Sequence, residues 1–177
     1  MGGTNAMAVL LLNASFEPLR VIPLRRAIGL IIAGKAEVIV EGNGLMRSAT
    51  MSYVVPAVVR LRYMVHVPFM STVPLSRQAV LVRDARRCQF SHCARIGSTI
   101  DHVVPRSRGG RHEWTNVIAA CPTCNTKKGN RLLSELGWTL RASPSAPRGP
   151  IVLLTAAGVA HPPDEWIDWL PGLAPAA

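Results

Sequence analysis

The apolar positions of this chain come in short runs broken by turn-forming residues, and the spacing inside each run suggests its structure. Residues 7–12 are a continuous apolar stretch that predicts a strand, and Asn13 through Pro18 break it. Behind Pro23, Leu24, Ala27, Ile28, Ile31 and Ile32 recur at helical spacing, which predicts a helix to about Ala33 that Gly34 ends. Residues 36–40 read as a short strand, 41–44 (Glu-Gly-Asn-Gly) as a turn, and 54–67 as extended chain interrupted by Pro56. A helix is expected over 75–83, behind Pro74. Further on, 98–104 and 117–120 are rich in β-formers and predict two strands, with a turn-rich loop, 105–110, after the first. Residues 125–128 read as the first turns of a helix. The stretch 141–150, rich in Pro and Ser, reads as a linker. It is followed by an apolar strand at 151–154 and an amphipathic helix near 164–170, with Trp166, Trp169 and Leu170 on its apolar side, expected to pack back on the body.

Together these elements predict an α+β protein. The expected organisation is a small N-terminal α+β region at 1–82, a compact strand–loop–strand–helix module at 83–140, and a tail at 141–177. Apolar residues make up 49% of the 177 and aromatics only 5%, so the core should be aliphatic. No apolar run approaches the roughly 18–20 residues that span a bilayer. Nor does the N-terminus show a basic segment followed by a long apolar one. The expectation is a cytoplasmic protein with no membrane partner.

Charge changes this picture. Lys and Arg number 20 against 10 Asp and Glu, a net charge of +10. The excess is densest over 83–148, and the last 29 residues are net acidic. Basic residues gain free energy by releasing counterions from phosphates, so nucleic acid is the partner to consider first. Arg25, Arg26, Arg60 and Arg62, in the first region, read as solvated surface.

All four cysteines fall in the basic segment, as Cys88-x4-Cys93 and Cys121-x2-Cys124. Without an export signal, disulfides are not expected. Two close pairs far apart in sequence fit a four-thiolate zinc site, each pair bending two sulfurs toward one tetrahedral ion. His92 is an alternative to Cys93 as a ligand. A module this small has too little apolar surface to hold itself together and would need the metal.

Between the cysteine pairs stand Asp101-His102-Val103-Val104-Pro105-Arg106-Ser107-Arg108-Gly109-Gly110, then Asn116, and after Cys124 come Asn125 and, three residues on, Lys128. This arrangement resembles the HNH (ββα-metal) endonuclease family, in its zinc-containing, four-cysteine branch and in a His-Asn-Asn variant of the signature. The first part of the chain, from Leu12-Asn13-Ala14-Ser15-Phe16-Glu17-Pro18-Leu19 to Val73-Pro74-Leu75-Ser76, resembles the N-terminal region found on many bacterial HNH proteins.

The resemblance implies a metal-dependent endonuclease acting on DNA, expected to be double-stranded, with 5′-phosphate and 3′-hydroxyl products; no base-recognition element is readable in the sequence, so weak sequence preference is expected. It makes His102 the general base, which suits an imidazole titrating near neutrality. Asp101 and Asn125 would be the metal ligands, and their hard oxygens suit Mg²⁺ or Mn²⁺. Asn125 stands where the family often has His. Asn116 would tie the loop and help orient His102 without touching metal. Asp101 and His102 are strand neighbours and should point to opposite faces, so a bulge or the metal's own geometry must reconcile them. Arg106, Arg108 and Lys128 are candidates to hold phosphate, and Gly109 and Gly110 to let the loop backbone approach DNA. His112, in the same loop, ranks below His102; His66 and His161 stand in unremarkable contexts. Two other readings compete: a catalytically silent zinc-stabilised DNA-binding module, and a nuclease directed at RNA. The intact set Asp101, His102 and Asn125 favours an active enzyme. One site in a monomer would nick one strand, and a dimer would cut both.

Overall fold

The structure is a computed structural model, and it describes residues 8–47, 52–66 and 73–171. The chain forms two compact units, Met1–Phe69 with Pro162–Ala177, and Met70–His161. Among the described residues, no helix is long and apolar enough to cross a membrane.

The first unit is built on a four-stranded sheet of order β2-β1-β4-β3. Strand β1 (Ala8–Leu12) lies inside it, antiparallel to β2 (Pro18–Pro23) and parallel to β4 (Ser52–Leu61). Its continuous apolar run fits a strand buried on both faces. Val9 and Leu11 join Ile22, Val59 and Leu61 on one side, while Leu10, Leu12 and Val58 are equally buried on the other. Helix α1 (Leu24–Ile32) starts behind Pro23 as expected and buries Ala27 against the first cluster, with Leu24, Leu30 and Ile31 packed beside it.

Strand β2 fills residues to which the sequence assigns no element, between the break at 13–18 and the helix behind Pro23. Residues 41–44 are not a turn but lie within the long strand β3 (Ala36–Arg47), whose pairing with β4 continues to Arg47 opposite Ser52. The glycines there serve irregular pairing. The register shifts between Glu41 and Leu45, Gly44 has φ +115°, and a side chain on Gly42 would press on Val55 and Ala57 at 3.2 Å. Pro56 sits opposite Glu41 at the same irregularity, where a missing N–H is tolerated. The extended stretch ends at Leu61, and the tail of the expected span, residue 67, lies outside the described residues, as does residue 7.

Asn13, 2% exposed, replaces a missing strand neighbour: it donates to the Val65 carbonyl and accepts from the Val65 N–H, both at 3.0 Å. The C-terminal segment Asp164–Trp169 is a 3-10 helix whose Trp166 is fully buried and donates its indole N–H to the Ala57 carbonyl at 2.8 Å. Trp169 stacks on Phe16, with ring centroids 5.7 Å apart.

The second unit contains helix α2 (Arg77–Arg83), capped by the Ser76 hydroxyl, then the antiparallel pair β5 (Thr99–His102) and β6 (Val117–Ala120). Helix α3 (Pro122–Lys128) and the short α4 (Leu133–Leu136) follow. The segment expected to be a strand at 151–154 is instead part of helix α5 (Pro150–Ala157), packed on α2. A short apolar run does not distinguish strand from buried helix; here Pro150 starts the helix and Gly158, at φ +73°, stops it. The expected linker also holds an anchor. Arg141 donates to the carbonyls of Cys88 and Cys93 at 3.2 and 2.6 Å.

Candidate metal centre and candidate active site

The four thiols come from two local structures. Cys88 and Cys93 lie in a tight knuckle, in which the Cys88 N–H reaches the Arg95 carbonyl and the Cys93 N–H reaches the Phe90 carbonyl. Cys121 caps α3, its sulfur accepting from the Cys124 N–H at 3.4 Å, and Pro122 fills the first helical position. Helix capping therefore places Cys124 beside Cys121. All four Sγ atoms are buried and lie within 4.8 Å of one another.

A tetrahedral zinc ion with Zn–S bonds near 2.3 Å needs sulfurs about 3.8 Å apart; Cys93 and Cys121 stand at 3.8 Å. Burial pushes the Cys88 thiol up, and burial with the neighbouring thiols pushes Cys124 up. At Cys121, burial is outweighed by the Cys124 N–H and the thiols around it, and the value falls to about 7. So crowded a set ionises fully only around a cation, and soft thiolates select zinc. The cluster is built to hold a structural metal ion, with zinc the best fit. His92 remains outside the set of four: its Nε2 is 3.8 Å from Cys124 Sγ and its ring lies against Trp138.

The helix capped by Cys121 also brackets β5. The Asn125 side-chain nitrogen donates to Thr99 Oγ1 and to the Ile100 carbonyl, at 3.0 and 3.1 Å. One turn later, the Lys128 ammonium donates to the His102 carbonyl at 2.7 Å and faces the Asp101 carboxylate, 3.3 Å from Oδ2. Lys128 has no exposed surface. Expected among the phosphate-holding residues, it is instead an internal cation. It lies on the buried side of the helix because α3 packs on β5.

Asp101 is buried, and its Oδ2 has no hydrogen-bond partner. Burial raises its pKa, and Lys128 offsets part of that rise. The pairing Asp101 with Ile118 and His102 with Val117 runs without a register shift, so no bulge turns the two side chains together. Asp101 lies on the buried side with Lys128, and His102 on the more open side. There, His102 Nε2 is 3.1 Å from His112 Nδ1. Burial, then His112 and Arg106, lower the His102 pKa from its ordinary 6.5, so neutral solution leaves it unprotonated.

Asn116 is buried and spans the loop. Its oxygen accepts from the Val104 N–H at 2.9 Å, and its nitrogen donates to the carbonyls of Val104 and Arg111 at 3.0 and 2.8 Å. Gly110 packs on the same spot. A side chain there would meet the Val104 carbonyl oxygen at 1.8 Å, so this glycine closes the loop on itself rather than clearing a path for DNA. Gly109, at φ +84°, makes the turn before it. Arg106 is exposed, whereas Arg108 is paired to Glu135 at 2.7 Å.

Arg83 and Asp84 carry no signal in the sequence, yet they fix this loop from behind. Their side chains are nearly buried and paired in parallel at 2.8 and 2.9 Å. Arg83 also donates to the carbonyls of Trp114 and Val117, on either side of Asn116, and Asp84 accepts from the Ala119 N–H. A basic–acidic pair in a charge-rich segment looks like surface until its partners are known.

Residues 87–131 match the family model described as HNH endonuclease, and residues 9–69 match HNH endonuclease-associated, N-terminal domain. No curated protein and no solved structure matches the chain.

Proposed function

For a chain that carries an HNH endonuclease domain behind an HNH-associated N-terminal domain, we propose hydrolysis of DNA phosphodiester bonds at the site formed by β5, α3 and the loop between β5 and β6. The observation that carries this reading is the buried Asp101 carboxylate, held 3.3 Å from the Lys128 ammonium at the end of β5 and next in sequence to an imidazole whose pKa is lowered. Asp101, and Asn125 through its carboxamide oxygen, would hold a hard divalent ion, Mg²⁺ or Mn²⁺. When bound, that ion neutralises charge growing on the scissile phosphate and the leaving oxygen.

The protein's own steps are simple. His102 takes a proton from a water molecule, whose oxygen bonds to phosphorus as the ester oxygen leaves and collects a proton from solvent. Asn116 and Gly110 hold the loop that flanks His102. Lys128 pairs with Asp101 and, through its hydrogen bond to the His102 carbonyl, fixes the end of β5. Arg106, exposed on the same loop, suits a phosphate oxygen; Arg108 would have to leave Glu135 to do so.

Supercoiled plasmid incubated with the protein and Mg²⁺ or Mn²⁺ tests this. Nicking or linearisation should disappear with EDTA and fall about 10²–10⁴-fold in His102→Ala, the usual worth of a general base. Because the neutral imidazole is the active form and its pKa lies below 6.5, the rate should be flat at neutral pH and fall only as pH drops below that value. Undiminished cleavage by His102→Ala, or an acid limb centred above 6.5, overturns the assignment. Preferential cleavage of an RNA substrate would overturn the choice of DNA.

A further inference from the structure

His112 is exposed, yet its position is built. Asn116 holds the carbonyl of the residue before it, the Asn116 N–H holds the carbonyl of Glu113 just after it, and Arg83 holds Trp114. These restraints bring His112 Nδ1 to 3.1 Å from His102 Nε2, with ring centroids 5.3 Å apart and planes inclined by 48°.

A neutral imidazole carries one N–H and one lone pair, so a hydrogen bond between two such rings decides the tautomer of both. If His112 donated, His102 Nε2 would accept and its proton would sit on Nδ1, leaving no free lone pair to receive a proton from water. If His102 donates through Nε2–H, its Nδ1 lone pair is open. Of the two arrangements, only the second leaves a base. We propose that His112 is a positioning residue that accepts the Nε2–H of His102 through Nδ1, thereby making Nδ1 of His102 the atom that takes the proton. When that proton arrives, the resulting imidazolium keeps its Nε2–H on His112, and His112 itself gains and loses nothing. Both the role as base and the choice between the two tautomers rest on the nuclease reading above; the 3.1 Å contact between the rings does not.

The test uses the zinc-loaded full chain, labelled with ¹⁵N at histidine, without DNA. Long-range ¹H–¹⁵N correlation should show His102 protonated on Nε2 and His112 also on Nε2. In His112→Ala the preference of His102 should be lost. His112→Asn places an oxygen at the position of Nδ1 and should restore it, whereas His112→Gln, which places its polar atoms one bond further out, should not. Plasmid cleavage should follow the same order: kcat about 10–100-fold lower in His112→Ala, the usual effect of losing a partner that orients a histidine, with KM unchanged, and near wild type in His112→Asn. A merely structural role would change melting temperature without this order. His102 protonated on Nδ1 in the wild type, or a tautomer and kcat that His112→Ala leaves alone, overturns the proposal. Because the NMR arm needs no turnover, an inactive wild type would remove the nuclease reading while the histidine pair is still judged on its own spectrum.

Discussion

The two units of this protein solve the problem of small size differently. The sheet unit has an aliphatic centre of Val9, Leu11, Ile22, Val59 and Leu61 under α1. The centre of the second unit's knuckle includes the four cysteines themselves, with Phe90, Ile118 and Ala120 as its other buried members. Fully burying a large aliphatic side chain is worth about 1.5–3 kcal/mol, and a handful of them sustain a sheet. The knuckle has too few for that, whereas a structural zinc ion contributes about 10–16 kcal/mol in apparent binding energy. Apolar burial thus suffices where no polar side chain has to be presented at fixed geometry. Where Asp101, His102 and Asn125 must be held at fixed geometry, metal coordination supplements a small core.

The largest effect that sharpens this contrast is expected from Cys121→Ser. It removes a ligand, the cap of α3 and, through α3, the bracket on β5. The prediction is loss of bound zinc and loss of a cooperative transition for the second unit, read by metal analysis and thermal melting. Retained zinc at one ion per chain would break the comparison.

Next in size is Lys128→Met. Removing one partner of a buried pair costs about 3–5 kcal/mol, because the other is left uncompensated. Denaturant unfolding should show that loss with zinc still bound. A change within about 0.5 kcal/mol, as for an exposed residue, would put Lys128 back on the surface, where the sequence suggests it lies. The smallest effect is expected from Ile22→Val, in the aliphatic centre: about 0.5–1.5 kcal/mol of stability, with zinc content unchanged.

What the sequence makes legible follows the same division. The cysteine pairs were readable because metal ligation dictates residue type and spacing, and α1 was readable because its apolar face repeats at helical period. Asp101, His102, Asn116 and Asn125 stood out through joint spacing with the cysteines. Helix α5 reads as a strand because a short apolar run satisfies several patterns, and strand β2 has too mixed a sequence to signal any element; tertiary packing decides both. Gly42 and Gly44 looked like a turn because glycine marks any unusual backbone, bulges included. The environments of Lys128, Arg83, Gly110 and His112 depend on which element packs on which. A long cationic side chain reads as solvent-facing until a buried carboxylate is found beside it, and no local pattern announces that one histidine will face another ten residues away.

The central claim is that one thiolate-bound ion, rather than apolar burial, holds the candidate active site in shape. Residue-resolved hydrogen exchange before and after stripping the metal with a strong chelator tests it most directly. The account predicts that amides of the β5–β6 pair and of α3 lose their protection while those of β1 and β4 keep theirs. Protection of β5 and β6 that survives complete metal removal would contradict it.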